Sequence, residues 1–126
     1  MSINKMIRLL PEGHEVDGMP STDFIDSANV IEGDPQERGY NFFTNEDGSV
    51  NAGVWACGAF KEPFNYPVDE MMVILSGAVT ITYDDGSTDT FKAGDVVIYP
   101  GGTTGVWEST ADFKKFYMVY EPKAKD

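Results

Sequence analysis

A chain of 126 residues with 41% apolar content, 13 Gly and 7 Pro suits one compact domain with its own core and argues against a second. Its 21 acidic against 9 basic residues give a formal charge of −12, so a nucleic acid or an anionic membrane would be repelled over most of the surface. The single cysteine, Cys57, allows neither an internal disulfide nor a cysteine-built zinc site, which agrees with a reducing compartment. Near the start, Met6-Ile7-Arg8-Leu9-Leu10 is broken by Arg8 and closed by Pro11, too short for a secretory or membrane segment, and a cytoplasmic protein is expected.

In chain order, residues 1–40 are rich in turn signals, Glu12-Gly13, Asp17-Gly18-Met19-Pro20 and Glu32-Gly33-Asp34-Pro35, and predict an irregular arm wrapped on the domain. Within it, "FIDSANVIE" is compatible with strand or loop. From "RGYNFFT" onward the apolar period is two rather than 3.6. That segment and "SVNAGVWACGAF" flank Asn45-Glu46-Asp47-Gly48, and "AVTITY" and "STDTF" flank Asp85-Gly86. Each Asp-Gly supplies the positive φ that a tight hairpin needs. "DVVIYP" and "TGVWES" surround Pro100-Gly101-Gly102, and "FKKFYMVYE" closes the domain before a charged tail, residues 122–126. Many short strands in so short a chain predict an all-β fold closed on itself, a sandwich or small barrel, over residues 41–121.

Two glycine-anchored stretches narrow this further. Gly58, Phe64, Tyr66, Glu70 and Gly77 stand at the spacing of the first cupin motif, a glycine, His-x-His, Glu and a second glycine. Gly94, Pro100, Gly102, Gly105 and Ser109 stand at the spacing of the second, with sixteen residues, Ala78 to Ala93, between them. Together with "SVNAGVWACGAF", the Asp69-Glu70 pair and both tryptophans, the chain resembles the small single-domain cupins grouped as Cupin_3 or DUF861, a family that includes ureidoglycine aminohydrolase-like proteins and the domain of ethanolamine-utilisation protein Q. The resemblance implies a jelly-roll β-barrel of conical double-stranded β-helix type, with a pocket at one mouth, and pairing of two barrels into a homodimer.

The four places that hold the metal in metal-dependent cupins read Phe64, Tyr66, Glu70 and Gly105 here. Phenylalanine and glycine carry no donor, and one carboxylate with a phenol is a poor set for Mn, Fe or Zn. No metal and no cofactor is therefore expected. The only histidine, His14, lies in the arm outside both motifs and reads as a surface residue.

Strand alternation puts Phe64, Tyr66, Glu70 and Met72 on one face, which the resemblance turns towards the barrel interior. A buried carboxylate must find donors or take up a proton, and Tyr66 and Tyr99 are the phenols in reach. Glu70 is thus a candidate general acid or base with Tyr66 as partner, or else a structural glutamate tied to a backbone group or a tyrosine. Trp55, Cys57, Phe64, Met72, Tyr99 and Trp107 are the candidate ligand-binding wall. Of these, Trp55 and Trp107 read as wall or core rather than chemistry, and Cys57 as packing. Asp69, on the opposite face, reads as a turn residue.

The expectation is a metal-independent cupin that binds a small polar metabolite, with or without acid-base chemistry. Two alternatives stand beside it. One is a metal-dependent enzyme, ureidoglycine aminohydrolase-like, using a set drawn from Glu70, Tyr66, Cys57 and His14. The other is a non-catalytic dimeric binding or assembly module, in which the arm exchanges across the interface.

Overall fold

The computed structural model describes residues 4–123 and contains ten strands: β1 (Glu32–Gly33), β2 (Arg38–Thr44), β3 (Val50–Cys57), β4 (Phe60–Tyr66), β5 (Asp69–Ser76), β6 (Ala78–Tyr83), β7 (Thr88–Lys92), β8 (Val96–Tyr99), β9 (Thr103–Ser109) and β10 (Phe113–Tyr120). They form two five-stranded sheets, ordered β1-β4-β9-β6-β7 and β2-β3-β10-β5-β8, and every pairing is antiparallel. The fold is the jelly-roll barrel expected from the motifs. The β2–β3 and β6–β7 hairpins stay within one sheet, and their turns carry Gly48 and Gly86 at φ 78° and 87°. From β3 to β6 and from β7 to β10, each successive strand changes sheet, which is how two flat sheets are wound into one closed barrel.

The core lies between the sheets. Trp55, Cys57, Phe60, Met72, Ile74, Val79, Ile81, Trp107 and Phe113 pack there in one cluster. Burying that much aromatic and aliphatic surface is the main favourable term in a domain of this size. The edge-to-face contacts of Trp107 with Phe113 (centroids 5.2 Å apart) and of Trp55 with Trp107 (6.3 Å) fix how the rings interlock.

The arm is irregular, as its turn residues require. "FIDSANVIE" is a single 3-10 turn, Ser27–Asn29, capped by Asp26 and followed by the two-residue β1. It crosses from β2, where Ser21 bridges to Arg38, to β4, where Glu32 and Gly33 pair with Lys61 and Phe60. Ile25 and Val30 pack on the core cluster as it does so. The arm therefore straps one open side of the barrel. Of the arm and the tail expected at 122–126, residues 1–3 and 124–126 lie outside the described residues. Among the described residues no helix is long and apolar enough to cross a membrane.

One expectation needs correction. Phe64, Tyr66, Glu70 and Met72 do not share one face of one strand. The chain breaks at Pro67-Val68, so Phe64 and Tyr66 stand on β4 in one sheet, and Glu70 and Met72 stand on β5 in the other. All four still reach the interior, because the two strands face each other across it.

Candidate functional site

Alternation along β10 sends Phe113, Lys115, Tyr117 and Val119 inwards and Lys114, Phe116, Met118 and Tyr120 outwards. One lysine of the Lys114-Lys115 doublet thus enters the barrel, where it is 9% exposed. Its ammonium lies 2.5 Å from Glu70 Oε2, and Glu70 is itself 4% exposed. The phenol of Tyr66 donates to the other carboxylate oxygen, Oε1, also at 2.5 Å. Both oxygens of Glu70 therefore have a donor, one charged and one neutral. This answers the burial cost that the sequence poses at position 70.

The Lys115 ammonium sits 5.2 Å from the centroid of the Trp55 ring and 5.5 Å from that of Trp107, and 3.6 Å from Met72 Sδ. Cation–π attraction makes the two indoles more than walls; they hold the charged end of Lys115 in place. Glu37, at the start of β2's flank, fixes the Trp55 ring in turn: its Oε1 accepts from Trp55 Nε1 (3.2 Å), Phe24 N (3.1 Å) and Thr22 Oγ1 (2.5 Å), and its Oε2 from Ile25 N (2.7 Å). A single carboxylate so ties the strap to the ring beside Lys115.

Tyr99 pairs with Glu70 across β8 and β5, and its ring lies 4.5 Å from that of Tyr66 and 5.4 Å from that of Phe64. Burial raises the Tyr66 and Tyr99 hydroxyls well above the usual phenol range, and the Glu70 carboxylate raises them further. Tyr117 is pushed up to about 12, again first by burial and then by Glu70. These phenols stay protonated at any physiological pH. Tyr66 is thus a hydrogen-bond donor to Glu70, not a base. Glu62, on the inner face of β4 and paired across the ladder with Trp107, is raised by burial and by the neighbouring charges of Glu37 and Asp26.

Of the residues expected at the site, the structure brings Glu70, Tyr66, Trp55, Met72, Tyr99 and Phe64 together with Trp107. Cys57 is fully buried, 3.4 Å from Ser109 Oγ, and burial pushes its thiol up to about 11, so it packs rather than reacts. Asp69 is exposed and accepts from Gly101 N at 2.7 Å, which holds the turn after β8. His14 stacks on Tyr40 with centroids 5.1 Å apart, and lines an open depression of about 360 Å³ with Arg8, Leu10, Glu15 and Phe42 on the outer side of β2. Lys115, Glu62 and Glu37 are what the sequence reading missed. The period-two pattern of "FKKFYMVYE" contained the signal for Lys115, since only one of two adjacent strand residues can point outwards.

The residues at the four cupin metal positions do not fit a metal. Phe64 has no donor. At Gly105 (φ 158°) an added Cβ would meet the Thr82 backbone oxygen at 2.4 Å, so no ligating side chain fits the fourth position without moving β6. Glu70 already faces a fixed ammonium, which would repel a divalent ion. The other set considered, Glu70 and Tyr66 with Cys57 and His14, is not assembled either: among the described residues no group of three His, Cys, Asp or Glu is placed to hold a metal ion.

The family model described as the EutQ-like cupin domain matches residues 44–117, well over half of the chain. The chain belongs to the EutQ-like cupin family. A DUF861-family protein of unknown function from Pseudomonas syringae pv. tomato DC3000 is 27% identical with a TM-score of 0.76, covering 82% of this cupin. This cupin spans only 45% of that protein's length. The putative ethanolamine utilization protein Q of Salmonella typhimurium LT2 is 24% identical with a TM-score of 0.59, over 69% of this chain and 71% of its own. A cupin superfamily protein from Desulfitobacterium hafniense is 18% identical with a TM-score of 0.57, over 73% and 84%. These last two share the fold. No curated protein matches this cupin.

Proposed function

We propose that this cupin is a homodimeric, metal-independent protein of the cytoplasm that takes a small polar metabolite into its barrel, where Glu70 and Lys115 form an acid–base pair. The observation that carries the reading is the Lys115 ammonium 2.5 Å from Glu70 inside a wall of aromatic rings. Stability alone does not account for such a pair, since apolar residues of similar volume commonly do as well or better in a core. Buried, paired titratable groups among aromatic rings are instead a frequent mark of function. On this reading Glu70 accepts a proton from the ligand, Lys115 returns one to the atom where negative charge develops, and Tyr66 keeps the carboxylate turned towards both.

The homodimer reading rests on the outer face of the β2-β3-β10-β5-β8 sheet. Met71, Val73, Val96, Ile98, Phe116 and Met118 form two charge-free rows there, on a chain of net charge −12. Val96 and Ile98 are each 65% exposed. Such a face offers on the order of several hundred Å² per copy, approaching the ~800 Å² per partner of a standard interface. A second copy is the occupant that presents an equally uncharged surface.

The test is metal analysis of untagged protein before and after dialysis against a chelator. Expected are Mn, Fe, Ni and Zn well below one per chain and an unchanged Tm. Stoichiometric metal whose removal lowers Tm would overturn the reading.

A further inference from the structure

Among the described residues, one buried side-chain donor of the barrel has no hydrogen-bond partner. Trp107 is 6% exposed, and its indole N–H, which can only donate, has no partner. An unpartnered buried donor is destabilising, and a ligand acceptor removes that penalty on binding. Trp55, in the same wall, is satisfied by Glu37 at 3.2 Å. The two tryptophans differ in this one respect: the first is spent on the strap, the second is open. Lys115, 5.5 Å from the Trp107 ring, uses one N–H on Glu70 and a weak one on Met72 Sδ, and an ammonium has three.

The charges decide what kind of acceptor fits. Lys115 is already balanced by Glu70. Glu62, opposite Trp107 on the ladder, is half-buried, and its carboxyl is raised by burial, Glu37 and Asp26, so negative charge is already crowded on that side. An anionic ligand would add to that crowding, and a cationic one would meet the Lys115 ammonium. Neither cost falls on a neutral oxygen.

We propose that the ligand is an uncharged carbonyl compound, an amide, ketone or aldehyde, whose oxygen accepts the Trp107 indole N–H beside the Lys115 ammonium. This rests on the reading of the barrel as the ligand site and adds the chemical class. With only two tryptophans in the chain, a ¹⁵N-labelled sample gives two indole N–H resonances, which Trp107→Phe assigns. The probes are acetamide, acetate and methylammonium, alike in size and differing in charge. Acetamide should move the Trp107 resonance saturably and leave that of Trp55 nearly in place, with acetate and methylammonium at least about tenfold weaker. Acetate or methylammonium binding as well as acetamide, or a Trp107 resonance that none of the three moves, overturns the proposal. Lys115→Met, or Lys115→Met with Glu70→Met where the single variant does not fold, separates this from the parent reading. If acetamide still shifts Trp107 at unchanged affinity, the carbonyl site stands and the ion pair is not part of it. If acetate is preferred and loses its effect in the variant, the ion-pair site stands and the ligand class is wrong.

Discussion

The two faces of the β2-β3-β10-β5-β8 sheet both depart from the usual arrangement of a half-buried sheet. The inner face sets Glu70, Lys115, Tyr99 and Tyr117 beside the core residues Trp55, Cys57, Met72, Ile74 and Phe113, while the outer face carries Met71, Val73, Val96, Ile98, Phe116 and Met118 in register. A sheet that served only to enclose a core would place apolar residues inside and polar ones outside. Here Glu70 and Lys115 pair with each other inside, while on the outer face Val96, Ile98 and Met118 are exposed and Met71, Val73 and Phe116 half-buried. The difference teaches that neither face follows from enclosing a core alone, and on the proposed function the inner one serves a ligand and the outer one a second copy.

The largest effect should come from breaking the inner face. Lys115→Met leaves Glu70 buried with Tyr66 as its only donor, and removing one member of a buried ion pair costs about 3–5 kcal/mol. Urea titration of the variant should show that loss, with Glu70→Met/Lys115→Met recovering most of it. A single variant as stable as the parent would mean that Lys115 does not compensate Glu70.

Alkaline pH tests the same face without mutation. Cys57 is raised from its ordinary 9.0 to about 11, and Tyr117 from 10.0 to about 12, while Tyr66 and Tyr99 lie higher still. Each group holds its proton more tightly folded than unfolded, so stability is fully present below pH 9 and falls as pH climbs through these values. The slope is about 1.4 kcal/mol per pH unit for each group whose unfolded form has ionised. The urea midpoint should be level from pH 7 to 8.5 and drop steeply by pH 10.5. A level midpoint to pH 10.5 would mean that these groups are not buried.

The sequence made much of this legible, and the misses have a common cause. Motif spacing placed Glu70, and alternation turned Trp55 and Trp107 inwards, because both depend on local geometry. Lys115 lies 45 residues from Glu70, and no local pattern announces that β10 and β5 are neighbours. Alternation turns one member of the lysine doublet inwards, but that it meets Glu70 follows only from the pairing. The face shared by Tyr66 and Glu70 was misread because a strand broken at Pro67-Val68 has the same apolar pattern as an unbroken one. Gly105 was legible as a missing ligand but not as a forbidden one, since the Thr82 oxygen beside it belongs to another strand. Gly105→Ala should therefore cost about 1–3 kcal/mol, from the close approach and the positive φ together. A Tm equal to the parent's would show that β6 yields and that the metal position is open to a side chain.

The outer face should give the smallest change in folding and the clearest change in assembly. Ile98 is 65% exposed on the edge strand β8, beside Met71 and in line with Met118. A lysine there keeps its stem on the apolar surface and its ammonium in water, so chain stability should move by no more than about 0.5 kcal/mol in the monomer. In a symmetric dimer the same lysine meets its own copy's face twice, and each charge loses water without a partner. Sedimentation velocity should find the parent as a dimer and Ile98→Lys as a monomer. A parent that is monomeric at high concentration, or a variant that still dimerises, would move the interface away from this sheet.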